Sequence, residues 1–166
     1  MPPTLHCQHI TPEQHEVFSA VIQAVAQELE DLGDRLWDQS HLSSEWLAGH
    51  YGLESLYLAW VNAEPVATFV LIEDDPLFWP EVTKGESLFI HKVAVARAWK
   101  GHDLSRQILD FAVGEVQARG KRFLRLDTDA TRPALCKLYE RYGFCWTERR
   151  LLDGFDCALY ELEVDV

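Results

Sequence analysis

The sequence predicts an α/β chain in which strands and helices are mixed along its length and most strands meet as antiparallel hairpins. Three observations predict it. Apolar residues switch repeatedly between a period of two and a period near 3.6. Short turns at Asn62-Ala63-Glu64 and Asp153-Gly154 join neighbouring strand-like runs. One stretch, ESLFIHKVAVARAWKGHDLSRQILDFAVGEV from Glu86 to Val116, passes from a strand through a basic turn straight into an amphipathic helix. With 166 residues, 48% of them apolar, the chain suits one domain over residues 1–166 with one substantial core.

Thr4 to Ile10 reads as an edge strand. Thr11-Pro12-Glu13-Gln14 then starts a helix, because a threonine cap, a first-turn proline and a glutamine three residues after the cap suit amides that have no partner inside the helix. The helix runs to about Leu32 on the stripe Val17, Val21, Val25 and Leu29, with Phe18 and Ile22 beside it, and Gly33 stops it. A shorter helix is expected from Ser44 to His50, ending near Gly52. Glu54 to Val61 and Pro65 to Glu73 form a hairpin. The loop from Asp74 to Gly85, DDPLFWPEVTKG, has the length of a functional lid, although a packed surface loop is the commoner form.

Leu88 to Val95 has strand length and composition, Ala96 to His102 turns polar, and Leu104, Ile108, Phe111, Ala112 and Val116 recur with helical period. Gly120 closes that helix, and Phe123, Leu124 and Leu126 build the next strand. Pro133 opens a helix whose stripe is Leu135, Leu138, Tyr139 and Tyr142, with Gly143 at its end. Phe144 to Arg150 and Phe155 to Val164 close the chain as a hairpin.

A formal charge of -12 argues against duplex nucleic acid or an anionic membrane as partner and fits a cationic small substrate. It also serves plain solubility. Cys7, Cys136, Cys145 and Cys157 form no C-x-x-C pair, and the sequence carries no secretory leader pattern. Reduced thiols and a cytoplasmic location are therefore expected. The apolar runs are too short or too interrupted to span a bilayer. His6, Cys7 and His9 are metal-ligand types, but strand alternation turns His6 away from the other two, so no metal site is expected.

The turn feeds Lys100, Gly101 and His102 into a helix N-terminus, where unpaired N–H groups and partial positive charge suit an anion such as phosphate. This run resembles the acyl-CoA signature of the GNAT N-acetyltransferase superfamily, Arg/Gln-x-x-Gly-x-Gly/Ala after a strand ending in a hydrophobic-Ala-Val pattern. The strand end is Val93-Ala94-Val95, and the six signature positions fall on Lys100, Gly101, His102, Asp103, Leu104 and Ser105. Asp103 stands at the first signature glycine and Ser105 at the second small residue. A later block, RPALCKLYERYGF from Arg132 to Phe144, resembles the superfamily's Asn-x-x-Ala-x-x-x-Tyr-x-x-x-Gly-Phe helix, with Arg132 in the Asn position and Tyr139, Gly143 and Phe144 matching.

The resemblance implies the GNAT fold: a mixed, mostly antiparallel sheet of six to seven strands, helices on both faces, and a splayed central pair of strands between which an acyl-CoA arm lies. It implies transfer of an acetyl group from acetyl-CoA to a primary amine, with a small-molecule amine as the first acceptor class. A protein or peptide acceptor, or a non-catalytic acyl-CoA-binding domain, are the alternatives. It assigns Val93 and Val95 to the pantetheine, Lys100, Gly101, His102, Asp103, Leu104, Ser105 and Arg106 to the pyrophosphate with Arg132 in support, and Tyr139 to the general acid. The segment Phe89 to Val95 is similar to the His-x-Leu-Ala-Val strand of arylalkylamine N-acetyltransferases, which makes His91 the expected base, with Glu86 as alternate. An imidazole merely hydrogen-bonded within the sheet is the competing account of His91. In a regular strand His91, Val93 and Val95 share one side and Glu86 the other. Asp103 is also an ordinary helix cap, whose carboxylate would compete with pyrophosphate for the same amides. Homodimers are common in the superfamily, and Asp74, Asp75, Asp127 and Asp129 would attract a cationic amine if gathered, whereas a solvated acidic surface is their plainer reading.

Overall fold

The computed structural model describes residues 2–165, which carry seven strands and four α-helices. The strand order is β1-β2-β3-β4-β5-β7-β6, the mostly antiparallel mixed sheet that the sequence predicts. The chain divides into two compact units, one reaching up to Leu71 and including Lys92–Phe111, the other comprising Ile72–His91 and the chain from Ala112 onward.

The first unit holds β1 (His6–His9), α1 (His15–Asp31), α2 (Ser44–Tyr51), β2 (Leu56–Val61) and β3 (Glu64–Ile72). Gln14 Oε1 accepts from the Thr11 amide at 3.0 Å, the capping arrangement expected at the entry to α1. A short 3-10 turn at Pro12–Gln14 precedes the α-helix proper. The buried face of α1 is Phe18, Ile22, Val25 and Ala26, a residue round from the stripe expected from Val17 and Val21, and Ser19 on that face donates to the Leu42 carbonyl. β1 pairs antiparallel with β2, and β2 with β3 through a turn in which Asn62 takes φ 55. Tyr57 stacks on Phe69 at 5.0 Å, with Phe111 edge-on to both. Each such buried ring contributes about 2 to 3 kcal/mol of hydrophobic stabilisation.

The second unit holds the start of β4 (Ser87–Val95), β5 (Phe123–Asp129), α4 (Pro133–Tyr142), β6 (Cys145–Leu152) and β7 (Phe155–Glu163). The remaining helix, α3 (Leu104–Ala118), begins in the first unit and ends in this one. β4 and β5 run parallel, with registered pairs from Ser87↔Phe123 to Phe89↔Arg125, and both strands continue beyond the last pair. The parallel ladder is therefore short, the separation expected of the central pair. β7 lies between β5 and β6 and is antiparallel to both. β6 is the outermost strand, with Trp146 58% and Leu151 72% exposed.

The loop between β3 and β4 is packed, not open. Trp79 is buried against Phe89, Cys157 and Leu159, with Phe78, Val82 and Phe155 around them. The buried Lys121 ammonium donates to the Gly85 carbonyl at 3.0 Å and lies 3.8 Å from the Glu73 carboxylate, so one side chain holds both ends of the loop. Beneath the same sheet edge, Arg125 is buried between Glu86 and Glu161, at 3.0 and 2.9 Å, and hydrogen-bonds Ser87.

Candidate active site

In the first unit, β4 leads through a 3-10 turn at Arg97–Trp99 into the loop that starts α3. Gly101 takes φ 82 and Asp103 φ 63, both in the left-handed region. Glycine enters that region freely, and aspartate is among the few other residues that tolerate it. Asp103 thus keeps a backbone shape suited to the signature glycine it replaces. The first α3 amide with a backbone acceptor is that of Gln107, which donates to Asp103 O at 3.3 Å. Among the described residues, the amides from Gly101 to Arg106 have no protein acceptor. The expected side-chain cap is not made: the exposed Asp103 carboxylate accepts from none of these amides, because its left-handed backbone departs from the extended conformation of a capping residue. Lys100, His102 and Arg106 flank the row of amides, while Leu104 is buried beneath it.

Lys92, earlier in β4, also has positive φ, at 54. Thr68 Oγ1 donates to its carbonyl at 3.0 Å. A left-handed residue inside a strand breaks the two-residue alternation, as a bulge does. The strand is therefore not the regular one in which His91, Val93 and Val95 would share a side.

In the second unit, His91 lies between two carboxylates. Its Nε2 is 2.8 Å from Asp75 Oδ2, a hydrogen bond, and its Nδ1 is 3.3 Å from Asp127 Oδ1. The side chains of Asp75, His91 and Asp127 are only 7%, 12% and 10% exposed. The solvated acidic surface expected from the sequence is thus overturned for Asp75 and Asp127. Asp75 comes from the packed loop: its carbonyl accepts from Trp79 N at 2.9 Å, its Oδ1 lies 3.5 Å from Phe78 N, and the Phe78 ring sits 6.1 Å from the imidazole. One ligand atom from each of the three side chains falls within 4.8 Å of the others, the spacing of a cation site. His6, Cys7 and His9 are not in that group.

Tyr139 lies on α4 with its ring 5.8 Å from Phe144 and 6.4 Å from Tyr160. Burial, then the negative charge of Asp127 and the Cys136 thiol, push its pKa above the ordinary tyrosine range. Its hydroxyl stays protonated at neutral pH. Glu86 is placed elsewhere: its carboxylate is paired with Arg125, and it precedes His91 by most of a strand length. Arg132 sits at the N-cap of α4, its Nε 3.3 Å from Asp129 Oδ2, and Asp129 in turn accepts from the Thr131 amide at 2.9 Å.

The structure thus gathers His91 with two residues that the sequence left among surface carboxylates. For Asp75 the available signal was the adjoining Pro-Leu-Phe-Trp run, since buried aromatics draw their neighbours inward.

The Acetyltransferase (GNAT) family profile matches residues 19–144. A curated relative, the uncharacterized N-acetyltransferase YesJ of Bacillus subtilis, is 25% identical over 164 residues, covering 92% of this chain and 86% of its own. Among solved structures, a GNAT-family acetyltransferase from Listeria monocytogenes superposes with a TM-score of 0.77 at 20% identity, covering 96% of this chain and 95% of that one. The putative acetyltransferase YncA of Salmonella typhimurium, solved with its cofactor acetyl-CoA, gives 0.70 at 12% identity over 98% and 95%. The ribosomal-protein-S18-alanine N-acetyltransferase of Escherichia coli gives 0.71 at 18% identity over 98% and 96%. With the family profile spanning most of the chain and the strand, turn and helix of its signature in place, this protein belongs to the GNAT acetyltransferase family.

Proposed function

We propose that the protein moves an acetyl group from acetyl-CoA to a primary amine of a small molecule, by direct attack of the amine on the thioester. The observation that carries this is the row of unspent amides from Gly101 to Arg106 at the head of α3. Such a row, with the helix dipole behind it, favours a diphosphate. Lys100, His102 and Arg106 add positive charge in the same unit, and Arg132 is the further cation assigned to the donor. Val93 and Val95 are the backbone partners of its pantetheine. The Salmonella protein of the same fold was solved with acetyl-CoA, which supports the choice of donor.

An alkylamine has a pKa of about 10 and arrives protonated at neutral pH, so it must lose a proton before attack. His91 takes that proton. The amine nitrogen then forms a bond to the thioester carbon through a tetrahedral intermediate, the carbon–sulfur bond breaks, and the Tyr139 hydroxyl gives its proton to the departing thiolate. Its raised pKa keeps the hydroxyl protonated at the pH of the reaction. We read Asp75, His91 and Asp127 as proton-handling and not as a metal site, because the two carboxylates approach different ring nitrogens and a single ion occupies only one. The net charge of -12 and the enclosed carboxylates favour a small cationic acceptor. Likeness to the ribosomal-protein acetyltransferase keeps a protein acceptor as the second reading.

Calorimetry with acetyl-CoA and a thiol-release screen of alkylamines, arylalkylamines and peptides test the proposal. Binding heat and release with a small amine are expected. No heat at high acetyl-CoA concentration would overturn the donor, and release with peptides alone would overturn the acceptor.

A further inference from the structure

We infer that Asp75 is a positioning residue that fixes the tautomer of His91 and so chooses which ring nitrogen acts as base. This rests on the reading of His91 as the proton acceptor. In a neutral imidazole one nitrogen carries hydrogen and the other a lone pair, and the partner of the first decides the arrangement. Both flanking carboxylates are acceptors only, but Asp75 Oδ2 hydrogen-bonds Nε2 at 2.8 Å whereas Asp127 Oδ1 lies 3.3 Å from Nδ1, so the neutral ring keeps its hydrogen on Nε2, at the shorter contact, and has its lone pair on Nδ1. Nδ1 faces Asp127 Oδ1 at 3.3 Å, so a proton taken there becomes part of an ion pair with β5 while Nε2–H stays bonded to the loop. Tyr139, on α4, and Cys157, on β7, are further titratable groups under the influence of Asp127.

The loop is built to hold Asp75 still. The carboxylate is nearly buried, its own carbonyl accepts from Trp79, and Trp79 is locked against Phe89, Cys157 and Leu159. Lys121 holds the loop's ends. A base oriented by a fixed carboxylate is the logic that makes a histidine directional in other enzyme classes, where changing the acid to its amide inverts the tautomer and disables the base.

The test reads the ring directly and needs no acceptor amine. Long-range proton–nitrogen NMR spectra of the intact protein, with His91 assigned by its absence in His91→Gln, are recorded above the pH at which its signals stop moving. The Nε2–H form is expected in the wild type. Asp75→Asn, whose amide can donate, is expected to move the hydrogen to Nδ1 and to lower kcat at least ~100-fold, with KM for acetyl-CoA within about twofold. A wild-type ring in the Nδ1–H form, a ring doubly protonated up to about pH 9, or an Asp75→Asn variant that keeps Nε2–H would each overturn the inference. The wild-type spectrum alone decides the matter if the variant does not fold. Wild-type rates in His91→Gln would instead sink the base assignment while leaving the tautomer result standing.

Discussion

The loop that opens α3 and the loop that leads into β4 are near in sequence and opposite in construction. From Gly101 to Arg106 the chain offers its backbone outward, with amides unspent and only Leu104 buried. From Glu73 to Glu86 the chain spends its groups inward, with Trp79 buried, Asp75 bonded to His91 and both ends tied to Lys121. The first loop suits a ligand that every member of the family must hold. The second suits a cluster of side chains held in fixed orientation. A backbone site tolerates changes of side chain so long as the dihedral angles survive, and Asp103 keeps the left-handed angle that glycine enters freely. A side-chain site tolerates almost none, because its function lies in the orientation of one imidazole.

The contrast is broken most severely at His91. His91→Gln is expected to lower kcat by about 100- to 10,000-fold, the range for removal of a general base, with acetyl-CoA affinity unchanged by calorimetry. Parallel loss of affinity would mean that the two loops do not divide binding from chemistry. Tyr139→Phe is next, with an expected loss of about 10- to 100-fold in kcat at constant acetyl-CoA affinity. A pH–rate profile sharpens the assignment: because burial raises its pKa, Tyr139 should contribute no alkaline limb below about pH 10. Asp103→Gly should bind acetyl-CoA several-fold more tightly and raise stability by about 1 kcal/mol, since it removes both a negative charge and a left-handed non-glycine residue. Weaker binding by calorimetry would show that the aspartate contributes something to the amide row.

The smallest expected effect is on stability at alkaline pH. Burial raises the Cys7 and Cys157 thiols to about 12, and the charges of Asp127, Asp156 and Asp129 add to the effect on Cys157. A thiol whose folded pKa exceeds its unfolded value favours the folded state fully only below the unfolded pKa, so stability should fall as pH rises from about 8.5 toward 12. The loss should be visible in urea melts compared at pH 7 and pH 10. In the same series the exposed Cys145 should react with a thiol reagent first, and the buried Cys157 only on unfolding.

Local signals made most of the fold legible. The capped start of α1, the Asn62 turn, the proline opening α4 and Gly143 ending it all appear within a residue or two of where short-range chemistry places them. The turn into α3 was legible for the same reason. The surroundings of His91 were not. Asp75 is 16 residues away along the chain and reaches the imidazole only because Trp79 is buried by residues of β4 and β7. Asp127 arrives on a neighbouring strand. Both read as solvated charge until long-range packing withdraws them from water. The left-handed Lys92 likewise has no signature in a run of strand-forming residues, so the break it makes in β4 was not legible.

The outermost strand has a consequence of another kind. β6 ends the sheet with a row of main-chain groups that a passing extended segment can zip onto, and it leaves Trp146 and Leu151 in water. Between those two residues run Glu148, Arg149 and Arg150, with Arg149 ion-paired to Asp156 and Arg150 to Glu81 and Glu148. A band of paired charges on an open sheet flank is the kind of feature that discourages fibril-like stacking.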